Sequence, residues 1–85
     1  MLLSQILAGV PLAEKLSGDT EISAVELDSR KTVPGALFIA LNGKNSDGRK
    51  FIPDALEKGA AAVLYDGDYT PPAADGVFFV RADGD

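Results

Sequence analysis

The chain has 85 residues, no cysteine, no histidine and a formal net charge of −5. Those facts exclude disulfide stapling, thiol chemistry and imidazole catalysis, leave carboxylates, lysines and hydroxyls for any chemistry, and argue against nucleic acid as a bulk partner. The length supports one domain, burying roughly 60–65% of the surface its unfolded form exposes.

Leu2, Leu3, Ile6 and Leu7 fall on one helical face, and Gly9 and Pro11 stop that helix. Ser4 and Gln5 interrupt the apolar run and no basic residue precedes it, so a signal peptide is not expected. No run approaches the ~20 apolar residues that cross a bilayer. Ser17 to Thr20 reads as a turn, and Ile22, Val25 and Leu27 as a strand ending at Asp28. Val33-Pro34-Gly35-Ala36 fits a type II turn, with Pro second and Gly third. Residues 37–41, LFIAL, are continuously apolar, which suits a strand covered on both faces.

Asn42-Gly43 ends that strand and a polar loop runs to Arg49. Phe51, Ile52, Ala55 and Leu56 repeat the helical spacing, with Pro53 suited to the first turn. Asp54 and Lys58 are an acid-first pair four apart, and Gly59 is the expected C-terminal cap. Residues 60–65 are a second buried strand, Thr70-Pro71-Pro72 a linker, and 77–80, VFFV, the last strand. Ala82 to Asp85 is polar and carries no stop signal of its own. The expected fold is a small layered α/β domain with a mostly parallel or mixed sheet of about four strands and flanking helices. A right-handed βαβ crossover would span the second helix.

Positive charge is concentrated in one region. Residues 30–50 hold Arg30, Lys31, Lys44, Arg49 and Lys50 against the single acid Asp47, whereas the rest of the chain has three basic and twelve acidic residues. Such an island suits a compact anion, and equally a solvated surface. The loop 42–50 follows a buried strand and precedes a helix, the position where open α/β sheets bind ligands. In it Gly43 and Gly48 permit close backbone approach, Asn45 and Ser46 offer donors and acceptors, and Lys44 offers charge. It is not a nucleotide P-loop: Phe38 stands where the first Gly belongs, and Asn45 where Ser or Thr should follow Lys44. Leu27-Asp28-Ser29-Arg30 places three polar groups directly after a strand, either facing a ligand or making ordinary turn chemistry. Asp66 with Asp68, and Asp83 with Asp85, lack further ligands at calcium-loop spacing, so no metal site is expected.

Together, LDSRKTVPGALFIALNGKNSDGRKFIPDALEKGAAAVL, residues 27–64, resembles the N-terminal domain of the Mur ligases. The shared pattern is a strand, Asp-Ser-Arg, a Pro-Gly turn, Leu-Phe-hydrophobic-Ala-Leu, Gly, then Asp-Gly with an aromatic, and a helix ending in Gly-Ala. It is most like the branch that adds the third peptide residue (the MurE type). The branch that adds the terminal dipeptide is the alternative, and a free-standing protein-interaction module is a reading of another class.

The resemblance implies a domain that holds the UDP end of UDP-N-acetylmuramoyl-L-Ala-D-Glu, in a cytoplasmic enzyme of peptidoglycan synthesis. Central and C-terminal domains would bind ATP with Mg2+ and the incoming amino acid, meso-diaminopimelate or Lys. On that basis residues 1–85 are a piece of a longer ligase, inactive alone, with no catalytic residue or cofactor of their own and with neither nucleic acid nor membrane as partner. By position, Leu27, Ser29, Lys44, Asn45 and Ser46 would contact the nucleotide. Asp28, Arg30, Gly43, Asp47 and Gly48 would support the loops, and the basic island would surround the pyrophosphate.

Overall fold

A computed structural model describes residues 1–41 and 47–83. Four strands, β1 (Val25–Glu26), β2 (Leu37–Ala40), β3 (Ala62–Tyr65) and β4 (Phe78–Arg81), form one sheet in the order β1-β2-β3-β4. Every neighbouring pair is parallel, so the sheet is parallel throughout. Leu37 pairs with Val25 on one side and Ala62 on the other, and Ala62 pairs in turn with Phe78.

The continuous apolar character of β2 and β3 follows from burial on both faces. Leu37, Ala62, Leu64 and Val80 pack with Leu3, Leu7 and Ile22 on one side. Phe38, Ala40, Val63 and Tyr65 pack with Ile52, Ala55 and Ala60 on the other. The first layer comes from the N-terminal segment with helix α1 (Leu3–Ile6), and the second from helix α2 (Ile52–Glu57).

Alpha-helix α2 makes the β2-to-β3 crossover, whereas the Pro-containing segment after Tyr65 leads to β4 without a helix. Gly35, at φ +84°, takes the third place of the turn after Pro34, and the Ala36 N–H donates to the Val33 carbonyl at 3.1 Å. Gly59, at φ +94°, closes α2, donating its N–H to the Leu56 carbonyl at 3.1 Å.

Several expected elements are shorter. Helix α1 is a single turn, and its first N–H groups are satisfied from a distance: Asp19 accepts the Ser4 N–H at 3.0 Å and the Ser4 hydroxyl. The strand expected over 22–27 contracts to two residues. Ile22 is buried, but Val25 and Leu27 are exposed, because β1 lies at the edge of the sheet and, among the described residues, pairs with β2 alone. The opposite edge is partly covered: residues 11–13 run antiparallel to the end of β4, with the Ala13 N–H donating to the Arg81 carbonyl and the Asp83 N–H to the Pro11 carbonyl, both at 2.9 Å.

Candidate functional site

In a parallel sheet all carboxyl ends lie on one edge. Here that edge carries the turn after β1, the loop after β2 and the segment after β3. The first two are built alike. Asp28 precedes a 3-10 turn, Ser29–Lys31, and accepts the Arg30 N–H at 2.9 Å, Nε at 3.0 Å and Nη2 at 2.9 Å. Asp47 precedes a 3-10 turn, Gly48–Phe51, and accepts the Arg49 N–H at 3.0 Å, Nε at 2.7 Å and Nη2 at 2.8 Å. Each Asp-x-Arg triplet thus caps its turn and grips its own arginine in a two-pronged fork.

The two forks differ in surroundings. The Arg30 side chain is 83% exposed, whereas that of Arg49 is 14% exposed. Arg49 also donates Nη1 to the Asp66 carbonyl at 2.8 Å and lies 5.9 Å from the centre of the Tyr69 ring. It ties the loop after β2 to the segment after β3. This corrects the picture of one open basic island, since Arg49 is committed to protein partners while Lys31 and Lys50 are exposed. Lys44, with Gly43, Asn45 and Ser46, lies outside the described residues.

A cleft of about 580 Å³ opens beside the first turn, lined by Leu27, Asp28, Ser29, Arg30, Phe51 and Asp54. Leu27 is 74% exposed and Phe51 47% exposed, which gives the cleft two apolar walls. Ser29 is buried, and Asp54, which lines the same cleft from the first turn of α2, is ion-paired with Lys58. Lys58 foremost, with the nearby Ser29 hydroxyl, holds the Asp54 carboxyl below its ordinary range. The Arg30 side chain, then its backbone N–H, lowers Asp28 to about 2. Arg49 lowers Asp47 in the same way. Both cleft carboxylates are therefore ionised at neutral pH. Among the described residues no three acids gather as metal ligands.

The structure brings Leu27, Asp28, Ser29 and Arg30 to one cleft, and Asp47 and Gly48 to the stem of the neighbouring loop, where the Gly48 N–H donates to the Leu41 carbonyl at 3.0 Å. Phe51 and Asp54 are additions. The helical spacing assigns Phe51 to the core, and a surface i,i+4 pair accounts for Asp54. The available signal for Phe51 was its place immediately before α2, where the 3-10 turn rotates it off the packed face.

These features define a small parallel α/β domain with an apolar-walled, polar-floored cleft at the carboxyl edge of its sheet. The family model described as "Mur ligase family, catalytic domain" matches residues 21–76. The chain belongs to the Mur ligase family, and its Asp-Ser-Arg turn and Gly-Ala helix end are those of the family's N-terminal domain type.

Among similar proteins is a UDP-N-acetylmuramoyl-L-alanyl-D-glutamate--2,6-diaminopimelate ligase of Chlorobium phaeobacteroides. It is 45% identical over 67 residues, covering 75% of this chain and 13% of that protein. A ligase of the same description from Bacteroides fragilis is 38% identical over 82 residues, covering 95% of this chain and 17% of that protein. Among solved structures, the MurF ligase of Thermotoga maritima in complex with ADP aligns with a TM-score of 0.57 and 33% identity, over 67% of this chain and 13% of that one. The chain therefore spans between 13% and 17% of the length of these relatives.

Proposed function

We propose that this chain is the nucleotide-sugar-binding domain of a longer ATP-dependent amide ligase of peptidoglycan precursor synthesis, located in the cytoplasm. Its ligand is UDP-N-acetylmuramoyl-L-Ala-D-Glu, held at the uridine end. The observation that carries this reading is the cleft at the carboxyl edge: Leu27 and Ser29, the nucleotide contacts that the family resemblance implies, line it side by side. An apolar wall with a few convergent polar groups suits a planar base whose edge must be read.

On this reading the full-length enzyme activates the D-Glu carboxylate with ATP and Mg2+, bound in other domains, and an incoming amine forms the amide. This chain contributes binding and orientation, supplies no reacting group and is inactive alone. The diaminopimelate ligases among its relatives favour meso-diaminopimelate over Lys as the added residue.

The Thermotoga maritima neighbour supports a second reading, the branch that adds the terminal dipeptide. Calorimetric titration tests the uridine site, and turnover separates the two readings. The first reading expects saturable binding of the UDP-linked dipeptide and of UDP, with no competition by ATP. In the full-length enzyme, turnover of the dipeptide substrate supports the first reading, and turnover of the tripeptide substrate alone supports the second.

A further inference from the structure

Arg30 is an internal comparison for Arg49. It forks its own aspartate while 83% exposed, and among the described residues its hydrogen bonds go to Asp28 alone. An Asp-x-Arg fork therefore forms without support from elsewhere in the chain. Arg49 has such support. Its side chain is 14% exposed, Nη1 donates to the Asp66 carbonyl at 2.8 Å, and Cζ lies 5.9 Å from the centre of the Tyr69 ring. Tyr69 stands edge-on to the buried Tyr65, with ring centres 5.5 Å apart. Gly67 completes the seat: its φ of +72° is left-handed, and a Cβ there would stand 2.8 Å from Arg49 Nη1. The segment after β3 is thus shaped around a guanidinium that the loop after β2 supplies.

That guanidinium belongs to the turn that builds one wall of the cleft. Arg49 is the second residue of the 3-10 turn Gly48–Phe51, and its carbonyl accepts the Ile52 N–H. Phe51, at the end of the turn, lines the cleft, whereas Asp66, Gly67 and Tyr69 do not. We propose that Asp66, Gly67 and Tyr69 form a distal positioning element for the cleft: by seating Arg49 they fix the 3-10 turn and hold the Phe51 wall in place before a ligand arrives. A wall set in advance loses no ordering entropy on binding. The inference rests on the uridine reading above where ligand affinity is concerned, and it adds a control on the site from residues outside it.

The test uses Gly67→Ala, Tyr69→Leu and Tyr69→Phe, with Ile22→Val, buried in the opposite layer, as a destabilised control. Each is checked by its melting curve, then read in two ways: amide shifts in the ligand-free protein, and titration with UDP well below melting. Gly67→Ala displaces the guanidinium, so the amides of Phe51 and Ile52 should shift without ligand. UDP affinity should fall about three- to tenfold, as the fraction of molecules with the wall in place drops to about a third to a tenth. Tyr69→Leu should act in the same direction. Tyr69→Phe keeps the ring face toward Arg49 and should keep the affinity of the unchanged protein.

Unmoved Phe51 and Ile52 amides in Gly67→Ala overturn the proposal. So does an equal loss of affinity in Ile22→Val, which would reduce the effect to stability alone. Absence of UDP binding by the unchanged protein defeats the uridine reading, and the ligand-free shifts then decide the positioning role by themselves.

Discussion

Two arginines share one local frame and have opposite surroundings. Arg30 and Arg49 are each forked by the aspartate two residues before them, yet the Arg30 side chain is 83% exposed and the Arg49 side chain 14% exposed. Arg49 also holds the Asp66 carbonyl and faces Tyr69. Arg49→Ala should therefore lower the urea midpoint at least about twice as far as Arg30→Ala, because a shielded charge-assisted network contributes more than a solvated pair. Equal shifts would show that the tie to the segment after β3 contributes nothing.

The aspartates predict a pH dependence of definite sign. Asp28 falls from an ordinary 3.8 to about 2, chiefly through the Arg30 side chain, and Asp19, Asp47 and Asp54 shift in the same direction. A carboxyl whose folded-state pKa is depressed stabilises the fold fully above its unfolded value, and that stabilisation is lost as pH falls through the folded value. The urea midpoint should accordingly be flat from pH 7 to about 5 and decline between about pH 4 and 2. Asp28→Asn should flatten part of that decline. A steeper loss above pH 5 would contradict this assignment.

At the level of elements, what the sequence disclosed depended on how local each signal was. The turn at Pro34-Gly35, the cap at Gly59 and the pair Asp54–Lys58 were legible because each depends on residues a few positions apart. The length of α1 and of β1 was not. The apolar spacing of Leu2, Leu3, Ile6 and Leu7 says which face is buried but not that Asp19, fifteen residues away, caps a single turn. The strand-like run Ile22, Val25, Leu27 says nothing about which strand lies at an edge. Phe51 was misjudged for a related reason, since helical spacing extrapolated backward into a 3-10 turn assigns the wrong face. Gly59→Ala tests the best-read element. A Cβ there would sit 3.0 Å from Pro34 Cα at a left-handed φ of +94°, so the substitution should cost about 1–2 kcal/mol in a denaturation curve. A neutral result would mean that the α2-to-β3 connection relaxes freely.

For the whole molecule, one sheet with an apolar layer on each face is the central fact. A domain of this size has a stability on the order of 4–13 kcal/mol. Phe38 is 1% exposed in the layer under α2, and Phe38→Ala should remove about 3–5 kcal/mol, a large share of that total. A midpoint close to that of the unchanged protein would place Phe38 outside the cooperative core. The parallel order of the sheet is also what brings the separately encoded turns after β1 and β2 to a common edge. The residues of the cleft were partly legible because Asp-Ser-Arg is a contiguous signal, whereas Phe51 and Asp54 reach it only through the packing of α2 against the turn.

The measurement that tests the account most directly is a residue-resolved NMR titration of the labelled protein with UDP-N-acetylmuramoyl-L-Ala-D-Glu, with UDP and ATP in parallel. The account predicts saturable shifts at Leu27, Ser29, Phe51 and Asp54 with both uridine ligands and none that saturate with ATP. Saturable shifts confined to another surface, such as the pocket between Glu14–Ser17 and β4, or no shifts at millimolar ligand, would contradict it.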